Sequence, residues 1–373
     1  MKIGIEAQRI FRTHKHGMDY VVLQEILQLQ QLDHDNEYYV FVKPGPDRCL
    51  RSTNNFHIVE LNTPTYPLWE QWALPRAVKK AGVELLHCTS NTAPLHCHVP
   101  LILTLHDIIF LEPSQHSTTP LYQRLGRLYR RWVVPRILPH CRRIITVSHF
   151  EEQNIISSLH IEQERMAMIY NGYNEWFRPL TDTESVYKKY IAEDGFLFFL
   201  GNTDPKKNTE NTLIAYAKYL ELSAVKRPLL MADLDKRYLN DILGRNGITH
   251  IQKHLVMPGY IVNSDLPYLY NAAFAFLYPS LRESFGIPLL EAMACGTPVV
   301  TSNTSSMPEI AGPDALLINP SRPDEIAQAL IKLETDSTLY AKQHTLGPRR
   351  SSLFSWRNTA QQLSRLYQEV AQF

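Results

Sequence analysis

The densest chemistry in the chain lies in residues 278–301, Tyr-Pro-Ser-Leu-Arg-Glu-Ser-Phe-Gly-Ile-Pro-Leu-Leu-Glu-Ala-Met-Ala-Cys-Gly-Thr-Pro-Val-Val-Thr. Pro288 suits the first turn of a helix, and Gly296 followed by Pro298 suits its end. A helix start offers unpaired backbone N–H groups and partial positive charge, and Ser284, Phe285 and Gly286 bring the backbone to that end. Such a seat fits an anion. Glu283 before the seat and Glu291 one turn into the helix add two carboxylates, which suit hydroxyl-rich groups on either side of a bound phosphate. A nucleotide diphosphate sugar has that form. Spacing alone is equally compatible with Glu291 compensating the helix dipole and Glu283 being a solvated loop acid.

Other residues carry chemistry at a distance. Lys207 stands just before an expected helix start at Asn208, against the local dipole, and so favours an anion, whereas Lys206 reads equally well as solvated. His106 and Asp107 follow the apolar run 101–105, at the end of a strand where open α/β sheets bind ligands. His87, Cys88, His96, Cys97 and His98 have the composition of a zinc site, but residues 89–95 between them read as an ordinary loop after a strand. Asp233-Leu234-Asp235 follows another strand, where capping a helix is the expected task. No metal site is expected. The sequence also lacks G-x-G, G-x-x-x-x-G-K-[ST], H-E-x-x-H, G-x-S-x-G and C-x-x-C. It therefore shows no dinucleotide or Walker fingerprint and no zincin, serine-hydrolase or thioredoxin-like signature.

The elements that must position these residues alternate. Apolar runs at 3–5, 38–42, 56–59, 83–86, 101–105 and 144–147 are separated by helical stretches, and a second series follows at 196–200, 229–232, 255–258, 274–278, 299–301 and 316–318. Strands alternating with helices imply parallel sheets, here in two α/β halves. A turn-rich seam at residues 170–180 places the boundary near residue 178, with a last amphipathic helix from residue 356. Ser148 and Glu151 form a capping box that starts a helix, and Asn208 is expected to cap another. The 373 residues contain 44% hydrophobic and 20% charged residues, which suits a soluble globular chain of more than one domain. A net charge of +1 gives no global reason to bind nucleic acid. Five cysteines, an odd number set mostly in apolar segments, favour free thiols and a cytoplasmic location. No apolar run of signal-peptide or membrane-spanning length appears.

The 278–301 stretch, with Gly201-Asn202-Thr203-Asp204-Pro205-Lys206-Lys207-Asn208 and Ser306-Met307-Pro308-Glu309-Ile310-Ala311-Gly312, resembles the group 1 (family 4) retaining glycosyltransferases. The resemblance spans nearly the whole chain and is strongest at residues 196–320, where Glu283 and Glu291 stand seven residues apart within a Ser-Phe-Gly-Ile-Pro context. It implies a GT-B fold, two Rossmann-like domains facing a central cleft: residues 1–178 for the acceptor, 179–355 for the nucleotide-sugar donor and 356–373 crossing back. It implies that Glu283 contacts the donor sugar, Glu291 the ribose and the backbone of Ser284, Phe285 and Gly286 the diphosphate. Lys207, with Lys206 beside it, would clamp the phosphates, the latter standing where the family often has arginine. His106 would line the donor sugar, Asp107 would orient it or approach the acceptor, and Gly17 would lie in the loop that approaches the phosphates. The implied reaction is retaining hexosyl transfer, mannose favoured, to a glycan or lipid-linked acceptor, without cofactor or metal. An epimerase or phosphorylase would share the scaffold but release free sugar or need phosphate, and a silent partner subunit would be expected to lack Glu283, Lys207 or His106.

One stretch concerns location. Arg124, Arg127, Arg130 and Arg131, with Arg136, Arg142 and Arg143, share an acid-free segment with Leu125, Leu128, Tyr129 and Trp132. A basic amphipathic surface suits anionic headgroups at the inner membrane face, and a solvated helix packed on the sheet suits the pattern equally.

Overall fold

The computed structural model describes residues 1–15, 17–112, 121–232 and 234–371. It divides into two compact units, Met1–Gly172 with Trp356–Phe373, and Tyr173–Ser355. The seam thus falls at Gly172 rather than near residue 178, because Tyr173 already bridges in parallel to Ser355 within the second unit.

In the first unit seven strands form one parallel sheet: β1 (Lys2–Glu6), β2 (Glu37–Val42), β3 (Phe56–Glu60), β4 (Leu85–Cys88), β5 (Leu101–Thr104), β6 (Cys141–Thr146) and β7 (Met166–Met168). Their order is β3-β2-β1-β4-β5-β6-β7. Around them lie α1 (Gly17–Leu32), α2 (Leu74–Ala81), α3 (Leu121–Ile137), α4 (His149–Leu159) and the Trp356–Ala371 helix. The apolar run at 83–86 becomes strand only from Leu85. Gly82 ends α2 with φ +66°, and the Val83 N–H still reaches the Val78 carbonyl at 3.2 Å, so the helix cap uses up the first residues of the run. Ser148 caps α4 as expected, its Oγ accepting from the Glu151 N–H at 3.2 Å.

A strand inside a parallel sheet is buried on both faces, and the side chains alternate accordingly. Val40 and Val42 pack with Ile26 of α1 and with Leu363 and Tyr367 of the Trp356–Ala371 helix, while Phe41 packs on the other face with Leu86, Leu103 and Val133. Leu363, Leu366, Tyr367 and Val370 are all buried. Each such side chain contributes roughly 1.5–3 kcal/mol. Together they match much of a domain's net stability of roughly 5–15 kcal/mol, so this last helix is integral to the first unit.

The second unit repeats the plan. β8 (Leu197–Phe199), β9 (Leu229–Met231), β10 (Leu255–Val256), β11 (Ala275–Tyr278), β12 (Val299–Ser302) and β13 (Leu316–Ile318) pair in parallel in the order β10-β9-β8-β11-β12-β13. Helices α5 (Thr209–Leu222), α6 (Ile287–Ala294) and α7 (Met307–Ala311) follow β8, β11 and β12. Leu197, Phe199, Leu277 and Val300 of the sheet pack with Leu213 and Tyr216 of α5. Strand order reverses between β8 and β11, the kind of switch point at which open α/β sheets bind ligands outside the strands' carboxyl ends.

A carboxyl group sits in the core of the first unit. Glu25 of α1 is 7% exposed, and burial pushes its carboxyl up to about 8. The folded chain keeps this proton where the unfolded chain has lost it, so stability falls as pH rises from about 4.5 to about 8 and stays low above that. Glu25→Gln removes the titration. The variant should match the parent at pH 5 and exceed it by about 2 kcal/mol or more at pH 8.5 in urea unfolding; equal pH dependence of the two would contradict this account.

Candidate active site

Two loops at the switch point of the second unit meet through their side chains. Lys207 closes a 3-10 turn, Pro205–Lys207, after β8, and Glu283 lies in the loop between β11 and α6. The Lys207 Nζ stands 2.7 Å from Glu283 Oε1, with side-chain exposures of 18% and 11%. Nζ also donates to the Tyr278 hydroxyl at 3.3 Å and lies 5.1 Å from the centre of that ring. The pair is shielded enough that deleting one partner would strand the other charge, a loss of the order of 3–5 kcal/mol for buried pairs. The backbone of one loop holds the other, since the Leu281 N–H donates to the Lys206 carbonyl at 2.7 Å.

Small side chains fix Glu283 from behind. Ser305 Oγ accepts from the Glu283 N–H at 3.2 Å, and Ser306 Oγ donates to the Glu283 carbonyl at 2.9 Å and the Phe285 carbonyl at 3.2 Å. Gly286 precedes α6 with φ +103°, and a Cβ there would come within 2.6 Å of Met307 Cε. The Met307 methyl is the movable end of a flexible side chain, so the positive φ is what calls for glycine. Its lack of a side chain leaves the start of α6 without a side-chain cap. Phe285 turns its ring into the interior, edge-on to Phe354 at 5.9 Å, while Ser284 stays half-buried. Glu291 lies in α6 beside Tyr270 and Cys295, and burial pushes its carboxyl up to about 8. The Tyr278 hydroxyl is pushed well up, first by burial and then by the charges of Glu283 and Glu291, so both acids act on this one ring.

Lys206 takes the solvated one of the two readings open to it, whereas Asn208 departs from its expected capping role. The Lys206 side chain is exposed beside Asp204, 3.6 Å away, and does not join the Lys207–Glu283 pair. Asn208 adopts the left-handed conformation, φ +61°, and its side chain makes no cap for α5. Its Nδ2 instead donates to the carbonyls of Pro279 at 2.9 Å and Pro320 at 2.6 Å, tying three loops together.

In the first unit, His106 follows β5 and is 5% exposed. Its Nε2 lies 3.0 Å from the Thr89 carbonyl, which can only accept, so Nε2 carries the proton and Nδ1 is left as an acceptor. Burial holds the imidazole below its ordinary pKa, favouring this neutral form. Its backbone N–H donates to Asn91 Oδ1 at 2.7 Å, and Asn91 itself takes a left-handed φ of +65°. Asp107 Oδ1 accepts from the Ile109 N–H at 3.1 Å, steadying the turn that follows. Gly17 opens α1 in an exposed position where a Cβ would meet nothing within 4 Å. Arg9 spans the loop between β1 and α1, its Nε 2.8 Å from Asp19 Oδ1.

Among the described residues of the two metal-like patterns no ligand set gathers. His87 is a core histidine, within 2.7 Å of the Tyr367 hydroxyl through Nδ1 and of Thr104 Oγ1 through Nε2, and burial pushes it down to about 3. Asp235 caps a helix, accepting from the Tyr238 N–H at 2.8 Å, and Asp233 lies outside the described residues. Among the described residues no group of three or more His, Cys, Asp or Glu side chains could hold a metal ion.

The sequence alone does not mark Tyr278, Asn91, Ser305 and Ser306 as site residues. Ser306 had a signal, since it opens the Ser-Met-Pro-Glu segment, but Tyr278 is indistinguishable from any core aromatic of a strand.

Comparison with known proteins bears on the family and the fold. Residues 184–349 match the model described as glycosyl transferases group 1, and residues 16–176 match glycosyltransferase family 4. The O-antigen chain mannosyltransferase B of Escherichia coli is 30% identical over 271 residues, 71% of this chain and 69% of that protein. The serotype-specific mannosyltransferase WbdA of the same organism is 32% identical over 58% of this chain, which spans only 27% of that longer protein. The structure of Anabaena Alr3699/HepE in complex with UDP-glucose superposes with a TM-score of 0.76 at 18% identity, covering 99% of this chain and 100% of that one. The fold is therefore GT-B, and the chain belongs to the group 1, family 4 glycosyltransferases.

Proposed function

We propose that this glycosyltransferase moves a mannosyl residue from a nucleotide diphosphate sugar to a glycan or lipid-linked acceptor, with retention of anomeric configuration, in the assembly of a cell-surface polysaccharide. The names of the relatives that match over the chain support mannose and the polysaccharide context. The observation that carries the chemistry is the Lys207–Glu283 pair at 2.7 Å beside the uncapped start of α6.

In this reading the diphosphate takes the ammonium of Lys207 and backbone amides around Ser284, Phe285 and Gly286. A diphosphate is a stronger partner for Lys207 than Glu283 is, so its arrival frees the Glu283 carboxylate to accept from sugar hydroxyls. Glu291, protonated near neutral pH with its carboxyl raised to about 8, can both donate to and accept from ribose hydroxyls. As the glycosidic bond breaks, negative charge grows on the leaving diphosphate, and Lys207 and the dipole of α6 meet it without reorganisation. These groups supply the positive charge, so the reading assigns no role to a metal. Lys206 is an outer cation. His106 lines the sugar with Asp107 steadying its turn, and Gly17 keeps the start of α1 open to phosphate. Five free cysteines fit a cytoplasmic location, and a lipid-linked acceptor brings the enzyme to the inner membrane face.

Two measurements test this. Lys207→Ala should lower turnover by about 100- to 1,000-fold, as expected for losing one preorganised donor to a developing anion. Turnover within threefold of the parent would mean that Lys207 is not at the phosphate. In a thermal-shift panel of GDP- and UDP-sugars, GDP-mannose at about 100 times its Kd should stabilise by about 2.7 kcal/mol. A larger shift with a UDP-hexose would replace mannose as the donor.

A further inference from the structure

The second unit carries a buried hydroxyl that its packing does not call for. Tyr278 is the last residue of β11, in register with Thr301 of β12, and its carbonyl accepts from Thr301 Oγ1 at 3.0 Å. The ring is buried and continues an aromatic row with Phe198 and Phe276, the centres of Phe276 and Tyr278 standing 5.6 Å apart. Its Cε1 lies 3.5 Å from where a Cβ on Gly286 would stand, so the ring backs the start of α6. Phenylalanine would fill the same space, and burying a polar atom costs free energy unless it is hydrogen-bonded. The hydroxyl answers to its polar neighbours instead.

Those neighbours fix the direction in which it donates. Lys207 Nζ donates to Tyr278 Oη at 3.3 Å, and Ser280, in the loop that follows β11, also hydrogen-bonds to it. The Glu283 carboxylate is a further partner and can accept but not donate. An ammonium offers no lone pair, so the phenolic proton goes to Glu283. Burial first, and then Glu283, push the phenol well up from its ordinary range, so the proton stays in place at neutral pH. The result is a chain from the Lys207 N–H through the Tyr278 O–H to Glu283, running beside the direct pair at 2.7 Å.

The three groups are held in different ways. Lys207 and Glu283 stand on loops after β8 and β11, whereas Tyr278 is fixed to the sheet by its strand pairing and its stacked ring. On the proposed reading the diphosphate takes the Lys207 ammonium, and the direct pair opens. Glu283 then loses a charged donor in a place that is largely buried. The hydroxyl does not depend on the ligand. It still donates to Glu283, and it still offers Lys207 an oxygen and a ring whose centre is 5.1 Å from Nζ, which limits the swing of a flexible stem.

From this geometry we infer that Tyr278 is a positioning residue for the transfer: anchored at the end of β11, its hydroxyl keeps the Lys207 ammonium and the Glu283 carboxylate aimed once a nucleoside diphosphate has parted them. The inference rests on the proposed placement of the diphosphate at Lys207. Aim matters most where charge is greatest, which is on the departing diphosphate rather than on the bound nucleotide sugar. The hydroxyl therefore serves the chemical step more than the binding of donor.

The test uses the full chain and Tyr278→Phe, which keeps the ring and deletes the oxygen. Turnover of GDP-mannose, followed as GDP release, should fall by roughly 10- to 100-fold, the range for one hydrogen bond to a charged group, with KM for GDP-mannose changed by no more than about threefold. In calorimetric titration GDP, which carries the full charge of the leaving group, should bind roughly tenfold more weakly, and GDP-mannose no more than about threefold, which also shows that the variant folds. UDP and a UDP-hexose take their places if the thermal-shift panel favours them. Made in a Lys207→Ala chain, Tyr278→Phe should change GDP affinity by less than about twofold, because a residue that acts through Lys207 has nothing left to aim. Turnover within about twofold of the parent, equal weakening of GDP and GDP-mannose, or losses that multiply in the double variant would overturn the inference and leave Tyr278 a packing residue. If Lys207→Ala weakens GDP binding and Tyr278→Phe does not, the inference alone fails. If Lys207→Ala binds GDP as tightly as the parent, the proposed placement of the diphosphate fails and takes the inference with it.

Discussion

A strand in a parallel sheet is covered by helices on both faces, so a side chain that must meet a ligand can stand only where the strand stops. The rest of this molecule follows from that constraint. Lys207 comes after β8, Glu283 after β11 and His106 after β5, and in every case the preceding strand is apolar and buried. In the second unit the constraint also selects the pair, because β8 and β11 are the neighbours between which strand order reverses. Lys207 and Glu283 meet where the loops that follow these two strands approach each other.

Loops at strand ends are held by polar side chains because apolar packing is spent inside. Ser305 and Ser306 grip the backbone of Glu283, Asn208 ties its own loop to Pro279 and Pro320, and Asn91 holds the backbone of His106. Each is a short side chain bonded to main chain, which costs little conformational entropy. The functional groups are thus placed by their backbones, while the Lys207 ammonium and the Glu283 carboxylate meet each other and the Tyr278 hydroxyl. Such an ion pair can be exchanged for a ligand without moving the chain.

The sequence makes the strands legible where β-branched and aromatic residues run together. Every apolar run of the two series holds a strand, whereas β7, written Met-Ala-Met, offers neither length nor β-branching and goes unseen. Where a helix cap and a strand share a run, as at Val83, composition does not say which takes the first residues. At the site, the Glu283 to Glu291 spacing and Lys207 stand out because glycine and proline fix the backbone around them. Asn208 does not, since its residue type suits capping as well as loop-to-loop bonding, and only the left-handed backbone decides between the two. Amphipathic spacing also fails to tell an arginine that reaches solvent from one that folds back onto a carbonyl, as Arg127 does.

The Trp356–Ala371 helix is encoded after the whole second unit, yet it lies in the core of the first. As the nascent chain leaves the ribosome, β1 to β7 can pair, but the face that awaits Leu363 and Tyr367 stays uncovered through the synthesis of some 180 intervening residues, Tyr173–Ser355. The inserted unit has a continuous sequence and can close first. Completion of the first unit then waits for synthesis of the Trp356–Ala371 segment, so a premature stop after residue 355 would release one finished unit joined to one with an open apolar face, a substrate for chaperones and proteases.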